Sequence, residues 1–282
     1  MSQRENLSQT INLSLSEWLN TEGEKTVPLP PVKAMQNPKD HPKEFLKTFQ
    51  QLSSDSHHPL EVWKDFVLMA ACALSNPLDK EHFEEREERY LQTIRKYNKQ
   101  EQGMFPELLA QLVMALENNP EQDFLGEAYM RLNLGSKTLQ QIFTPYHVCQ
   151  MMAAIVMGNI TKQVKDQGYI TINDPCCGGG ATLIAGVHEA KHQLEKANLN
   201  YQNHVLVVAQ DIDETVALMC YIQLSLLGVA GYVKVGNSLT EPMASGDATK
   251  NYWFTPMYFA NVWTARRMLQ NIRLNETISK IA

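Results

Sequence analysis

The chain has 282 residues, of which 44% are hydrophobic and 20% charged, and its formal net charge at pH 7 is −6. This composition is that of a globular protein, and no apolar run reaches the roughly 18 residues that a membrane span needs, so we expect no contact with membranes. The acidic balance argues against a protein that coats nucleic acid, although a local basic groove is compatible with an acidic total.

The first residues and the cysteines bear on the cellular compartment. The start, MSQRENLSQT, has no apolar stretch behind a basic segment, so no secretory signal is expected and we predict a cytoplasmic protein. The chain has five cysteines, an odd number without C-x-x-C spacing. They indicate neither a disulfide scaffold nor a zinc site, and no metal ligands are predicted.

The N-terminal part divides into an arm and a helical region. Residues 1–41 contain VPLPPVKAMQNPKDHP, a proline-rich segment that favours extended backbone and predicts a flexible or extended arm. Residues 42–125 show helical spacing and predict a helical domain. Within it, residues 59–75 are apolar on nearly all sides, so this helix is expected to be buried among the others.

From about residue 165 the pattern changes to strand, helix, strand, helix, strand. The strands are YITIND, HVLVVAQDID and GYVKVGNSL, and two long helical segments separate them. β-Branched runs joined by helices of this length predict an α/β domain over residues 126–282, with a doubly wound, Rossmann-like parallel sheet. Ligands of such sheets bind at the carboxyl ends of the strands.

A glycine turn follows the first of these strands. Asp174 to Gly180 lead from the strand into a helix, and the exposed amides of such a turn favour a carboxylate or a phosphate. Ala181 and Thr182 follow the last glycine, so this is not a Walker loop, and the spacing does not match G-x-G-x-x-G. Asp211, after the second strand, suits the two hydroxyls of a ribose. Together they indicate a ligand with an anionic group and a nucleoside, such as S-adenosylmethionine.

Five motifs in chain order resemble the adenine-N6 DNA methyltransferases, and in particular the modification subunits of type I restriction systems, which also carry a helical domain in front. They are IFTPYHV at 142–148, NDPCCGGGATL at 173–183, QDID at 210–213, ALMCYIQLSLLG at 217–228 and GNSL at 236–239.

The resemblance implies a methyltransferase-like fold and S-adenosylmethionine as the cofactor. It implies that Asp174 and Gly178 hold the methionine part of the cofactor and that Asp211 binds its ribose. Where the family has an aspartate that accepts from the adenine of the cofactor, this chain has Asn237, whose side-chain carbonyl can still accept that hydrogen bond. The other residues of the implied cofactor site are Phe143, Thr144, Pro145, Cys176 and Asp213. Thr144 and Pro145 also read as an ordinary helix start, and both readings stay open.

The sequence departs from this family at the catalytic tetrapeptide. These enzymes carry Asn-Pro-Pro-aromatic after the fourth strand, whereas this chain has MYFANVW at 257–263, whose Asn261 and Trp263 are the catalytic candidates. Without the prolines, the backbone carbonyl that should accept from the target adenine is not fixed in place. The chain ends within twenty residues of this motif, so we expect a C-terminally truncated sheet.

Two functions remain in competition. The first is a methyltransferase that acts on adenine in DNA, with the flipped base stacked on Trp263 or Tyr258. The second is a catalytically inactive binding or regulatory protein in a restriction-modification or mobile-element context. In either case we expect DNA to be reached through a partner specificity protein. The aromatic residues of 252–263 either cover the open side of the sheet or form a homodimer contact.

Overall fold

The computed structural model describes residues 41–53, 57–134, 143–244 and 246–269, which all lie in one compact unit. The predicted arm lies outside these ranges except for His41, which begins the first helix. The division into a helical domain and a sheet domain stays a prediction. In the described part of the chain, no helix is long and apolar enough for a membrane crossing.

Helices make up the N-terminal part, as predicted. They are α1 (His41–Leu52), α2 (Pro59–Ser75), α3 (Phe83–Ile94), α4 (Lys99–Asn118) and α5 (Phe124–Arg131). Local signals set their starts: Pro59 stands in the first turn of α2, and Asn98 and Glu101 form a reciprocal capping box at α4.

The core of this helical part is aromatic. Trp63 of α2 has no exposed surface, and its ring lies 5.6 Å from that of Phe49 and 5.7 Å from that of Tyr129. Its indole N–H donates to the sulfur of Met219, at 3.4 Å, in a helix of the sheet region. The predicted burial of this apolar helix is therefore confirmed, and the helix packs against the rest of the fold as well as on its neighbours.

The second part is an α/β sheet. Its elements are α6 (Tyr146–Val156), α7 (Ile160–Gln167), β1 (Ile170–Asp174), α8 (Ala181–Glu195), β2 (Val205–Asp211), α9 (Glu214–Leu226), β3 (Ala230–Val235) and β4 (Tyr252–Phe254). Within the described residues the strands are ordered β1-β2-β3-β4, and the first three are parallel. The predicted α/β class and parallel arrangement are confirmed for these three strands.

The fourth strand differs from the prediction because β4 runs antiparallel to β3, with Lys234 opposite Tyr252 and Tyr232 opposite Phe254. A parallel strand needs a crossover connection, usually a helix, that carries the chain back to the other edge of the sheet. The described residues between β3 and β4 hold only a short 3-10 turn, Thr249–Asn251. The chain therefore returns to the sheet at the carboxyl edge, and β4 carries it from there to the amino edge.

Trp253, in the aromatic segment 252–263, is buried within the same chain. Trp253 is 3% exposed, and the guanidinium of Arg86, from α3, lies 4.0 Å from the centre of its ring. Arg86 also donates to the backbone carbonyl of Tyr252, at 2.6 Å. These contacts agree with the interpretation that the aromatic residues of this segment cover the open side of the sheet. The alternative, a homodimer contact, stays a prediction.

Candidate cofactor site

A cavity of about 230 Å³ opens at the carboxyl edge of the sheet, between the ends of β1 and β2. Six residues that the sequence singled out line it together: Phe143, Thr144, Asp174, Cys176, Gly178 and Asp211. They come from three separate segments of the chain, which meet because the carboxyl ends of parallel strands share one edge.

Asp174 shapes the glycine turn. Its Oδ1 accepts from the backbone N–H of Cys176 at 3.0 Å, and its Oδ2 accepts from the hydroxyl of Thr182 at 2.6 Å. The carboxylate thus spans the turn from its first residues to the first turn of α8. Sequence reasoning used Thr182 only to exclude a Walker loop and missed this contact, which the position of a hydroxyl residue at the helix start could have suggested.

Two of the three glycines of the turn are required for different reasons. Gly178 and Gly180 have φ values of 51° and 95°, in the left-handed region that side chains disfavour. A Cβ on Gly180 would lie 2.9 Å from the sulfur of Cys220, whereas one on Gly178 would lie 3.4 Å from the ring of Phe143, an ordinary contact. The fold itself requires Gly180, while Gly178 faces the cavity and leaves its backbone open to a ligand.

Asp211 joins the two loops of the site. Its Oδ2 accepts from the N–H of Gly178 at 2.8 Å, and its Oδ1 accepts from the N–H of Asp213 at 3.0 Å. Burial raises the pKa of Asp211 above its usual 3.8, and these backbone N–H groups oppose that rise. A carboxylate has about four acceptor positions, so it retains capacity for the hydroxyls of a ribose.

Asp213 and Asn237 already accept hydrogen bonds within their own loops. Asp213 caps α9 by accepting from the N–H of Thr215 at 2.8 Å, and Asn237 accepts through Oδ1 from the N–H of Leu239 at 2.9 Å. Neither residue lines the cavity. Their contacts with a cofactor stay predictions.

The segment at 143–145 agrees with both interpretations offered for it, a helix start and a wall of the cofactor site. The ring of Phe143 lies 5.5 Å from that of Tyr129 and walls the cavity beside Gly178. Pro145 stands immediately before α6, and its carbonyl accepts from the N–H of Val148 at 2.9 Å. The segment therefore starts a helix and also places Phe143 and Thr144 at the cavity.

The charge of the cavity favours a particular kind of ligand. Among the described residues that line it, Asp174 and Asp211 are acidic and none is Lys, Arg or His. A polyphosphate would meet two carboxylates without a compensating cation, whereas an ammonium or sulfonium group would be attracted to them. The residues present therefore fit a nucleoside that carries an amino acid better than they fit a nucleotide.

The catalytic candidates lie elsewhere. Trp263 is 2% exposed, its indole N–H donates to the carbonyl of Gln202 at 2.8 Å, and its ring packs edge-on against Tyr169 at 5.5 Å. Gln202 and Tyr169 precede β2 and β1, so Trp263 lies at the amino edge of the sheet.

This placement differs from the sequence prediction for Asn261 and Trp263. The five residues of β1 separate the two edges by roughly 16 Å of strand. The physical reason is the direction of β4: an antiparallel strand carries the residues that follow it to the edge opposite the cavity. The structure brings neither residue to the site formed by Asp174 and Asp211.

Comparison with known families identifies the kind of protein. The family model of the N-6 DNA methylases matches residues 121–281, which include the cavity, the glycine turn and the whole sheet. The chain belongs to the N-6 DNA methylase family. Membership implies S-adenosylmethionine as the cofactor, and the acidic lining of the cavity and the spare acceptor capacity of Asp211 fit this molecule.

The chain is also similar to a solved structure. A solved structure from Listeria monocytogenes, assigned to the class I S-adenosylmethionine-dependent methyltransferases, matches with 13% identity and a TM-score of 0.40. The match covers 71% of this chain and 55% of that protein. Among curated proteins, none matches.

Proposed function

We propose that this N-6 DNA methylase binds S-adenosylmethionine in the cavity at the carboxyl edge and acts in the methylation of adenine amino groups in DNA. The observation that carries this proposal is the pair Asp174 and Asp211 at the ends of neighbouring strands, around a turn whose backbone is open at Gly178. The setting we propose is a cytoplasmic restriction-modification system, in which a partner specificity protein selects the DNA site.

Each part of the site has a separate task. Asp211 accepts from the ribose hydroxyls of the cofactor, and Asp174 attracts its ammonium group. The N-terminus of α8 provides backbone N–H groups for its carboxylate. Bound there, the cofactor supplies a methyl group activated by a positively charged sulfur, and Phe143 shields one side of the cavity from water.

A second candidate is a binding or regulatory protein that does not transfer methyl groups by itself. It is favoured by the position of Asn261 at the edge opposite the cavity, together with the absence of Asn-Pro-Pro-aromatic from the sequence. Methyl transfer needs the target nitrogen held within about 3.5 Å of the methyl carbon, and a displacement of about 1 Å can lower the rate about a hundredfold. A partner protein would then have to supply the residues that hold the target adenine.

Calorimetry and a transfer assay separate these possibilities. Titration of the full chain with S-adenosylmethionine should release or absorb heat, and ATP at the same concentration should not. Absence of any signal with millimolar S-adenosylmethionine would contradict the proposal. Labelled-methyl transfer to DNA, with and without a candidate specificity protein, then decides between an active enzyme and a binding protein.

A further inference from the structure

A buried glutamine connects the glycine turn to the helical part. Gln223, in α9, has no exposed surface. Its side-chain nitrogen donates to the backbone carbonyl of Gly179 at 2.9 Å and to Oδ1 of Asp123 at 2.8 Å, and its oxygen accepts from the N–H of Leu125 at 3.1 Å. One side chain thus holds the turn and the first residues of α5 together.

Gly179 lies in contact with both helices that flank the turn. Asp123 caps α5 by accepting from the N–H of Gly126 at 3.0 Å, and it is 3% exposed. A Cβ placed on Gly179 would lie 3.4 Å from the methyl group of Met219 and 3.9 Å from the Cα of Gly126. The turn is packed between α9 and α5 at the point where Gln223 bonds it.

Only an amide matches these three partners. The carbonyl of Gly179 and the carboxylate of Asp123 need donors, whereas the N–H of Leu125 needs an acceptor, and glutamine offers both. A leucine of similar size would leave three buried polar groups without this partner, and an ionised glutamate would present acceptors to two other acceptors.

We propose that Gln223 is a positioning residue for the cofactor site, which holds the glycine turn in its binding conformation and couples it to helix α5. The inference rests on the proposed binding of S-adenosylmethionine. Gln223 does not line the cavity, so it acts through Gly179 and the neighbouring Gly178. Through Gln223 the helical part is linked to the cofactor site, although neither Asp123 nor Leu125 lines the cavity.

The first test compares two buried glutamines in the full chain. By calorimetry, Gln223→Leu should weaken S-adenosylmethionine binding about tenfold or more, because the turn loses its anchor. Gln111→Leu is the matched control: Gln111 is 2% exposed and donates to Thr48 at 3.0 Å within the helical part. It should leave the affinity unchanged. Equal affinities of the wild type and Gln223→Leu would overturn the role of Gln223.

A pH series separates positioning from simple packing. In Gln223→Glu, a protonated carboxyl can donate to the carbonyl of Gly179, whereas an ionised one cannot. The affinity of this variant for S-adenosylmethionine should therefore approach that of the wild type as the pH falls, so that the ratio of the two affinities approaches one. The ionisable group that Gln223 contacts is Asp123; burial raises the pKa of Asp123, and the hydrogen bonds from Gln223 and from the N–H of Gly126 oppose that rise. A ratio independent of pH would contradict the proposal.

Thiol labelling follows the turn without any cofactor. Cys176 is the exposed cysteine, whereas Cys177, the next residue of the same turn, is 5% exposed and the other three are buried. In the native wild type one thiol should react quickly, and in Gln223→Leu a second, Cys177, should join it. An unchanged pattern, or reaction of all five thiols as in an unfolded chain, would overturn the positioning role. Absence of cofactor binding by the wild type would instead overturn the proposed function.

Discussion

The carboxylate of Asp211 accepts a 2.8 Å hydrogen bond from the backbone N–H of Gly178. This bond joins the last residue of β2 to the glycine turn after β1. The residue proposed to bind the ribose of the cofactor therefore also fixes the turn proposed to hold its methionine part. Loss of this carboxylate should affect both contacts at once.

Replacement of Asp211 should weaken cofactor binding. We expect Asp211→Ala to raise the dissociation constant for S-adenosylmethionine more than about tenfold, because the ribose hydroxyls and the N–H of Gly178 lose an acceptor. Calorimetry measures this, with Asp166→Ala, at an exposed aspartate of α7, as the control that should behave as the wild type. Equal weakening by both substitutions would point to a nonspecific charge effect.

Cofactor affinity should fall as the pH is lowered. Burial raises the pKa of Asp211 above 3.8, so its carboxyl takes up a proton, and loses acceptor capacity, at a higher pH than an ordinary aspartate does. Titrations that run down from neutral pH would show the decline, and the affinity of Asp211→Asn, which has no carboxyl at this position, should change much less with pH. Because the folded pKa exceeds the unfolded one, protonation of Asp211 favours the folded state, so unfolding linked to this group would not explain the loss.

Gly180→Ala should destabilise the protein. Its φ of 95° is unfavourable for alanine, and the new Cβ would lie 2.9 Å from the sulfur of Cys220, so we expect a loss of about 1–3 kcal/mol in the free energy of unfolding. Gly103→Ala, inside α4 with no atom within 4 Å of the new Cβ, should instead stabilise by up to about 1 kcal/mol. Urea denaturation of both variants tests this contrast.

Trp63→Asp should disrupt the helical part. It places a charge where a fully buried ring contacts Phe49 and Tyr129, and we expect a loss of about 3–5 kcal/mol or more. The neighbouring Lys64→Asp, at a side chain that is 46% exposed, should stay within about 0.5 kcal/mol of the wild type. If Trp63→Asp melted like the parent, the aromatic core described above would be contradicted.

The segment around Asn261 should not carry catalysis in the isolated chain. We expect labelled-methyl transfer to mixed-sequence DNA to remain at background, and Asn261→Ala to change nothing measurable, because this residue lies at the edge opposite the cavity. Trp263→Ala should lower the free energy of unfolding by about 3 kcal/mol or more without altering cofactor affinity. Robust transfer that disappears in Asn261→Ala would show that the segment reaches the cavity during the reaction.

Local sequence patterns were sufficient to predict much of the fold and part of the candidate site. The β-branched runs and the helices between them predicted three parallel strands, and the position of Asp174 and Asp211 after two of these strands placed them at one edge. The apolar character of residues 59–75 predicted the burial of Trp63. These inferences succeeded because periodicity and the shared edge of parallel strands depend on neighbouring residues and on a general rule of topology.

Other properties depended on the tertiary structure alone. The direction of β4 follows from its pairing with β3, and it decides that Asn261 and Trp263 lie at the amino edge although their spacing resembles a catalytic loop. The packing of Gly180 against Cys220, and the bond from Gln223 to Gly179, join residues 40 or more positions apart. No periodicity reports such contacts, because they arise only when separate elements are packed together.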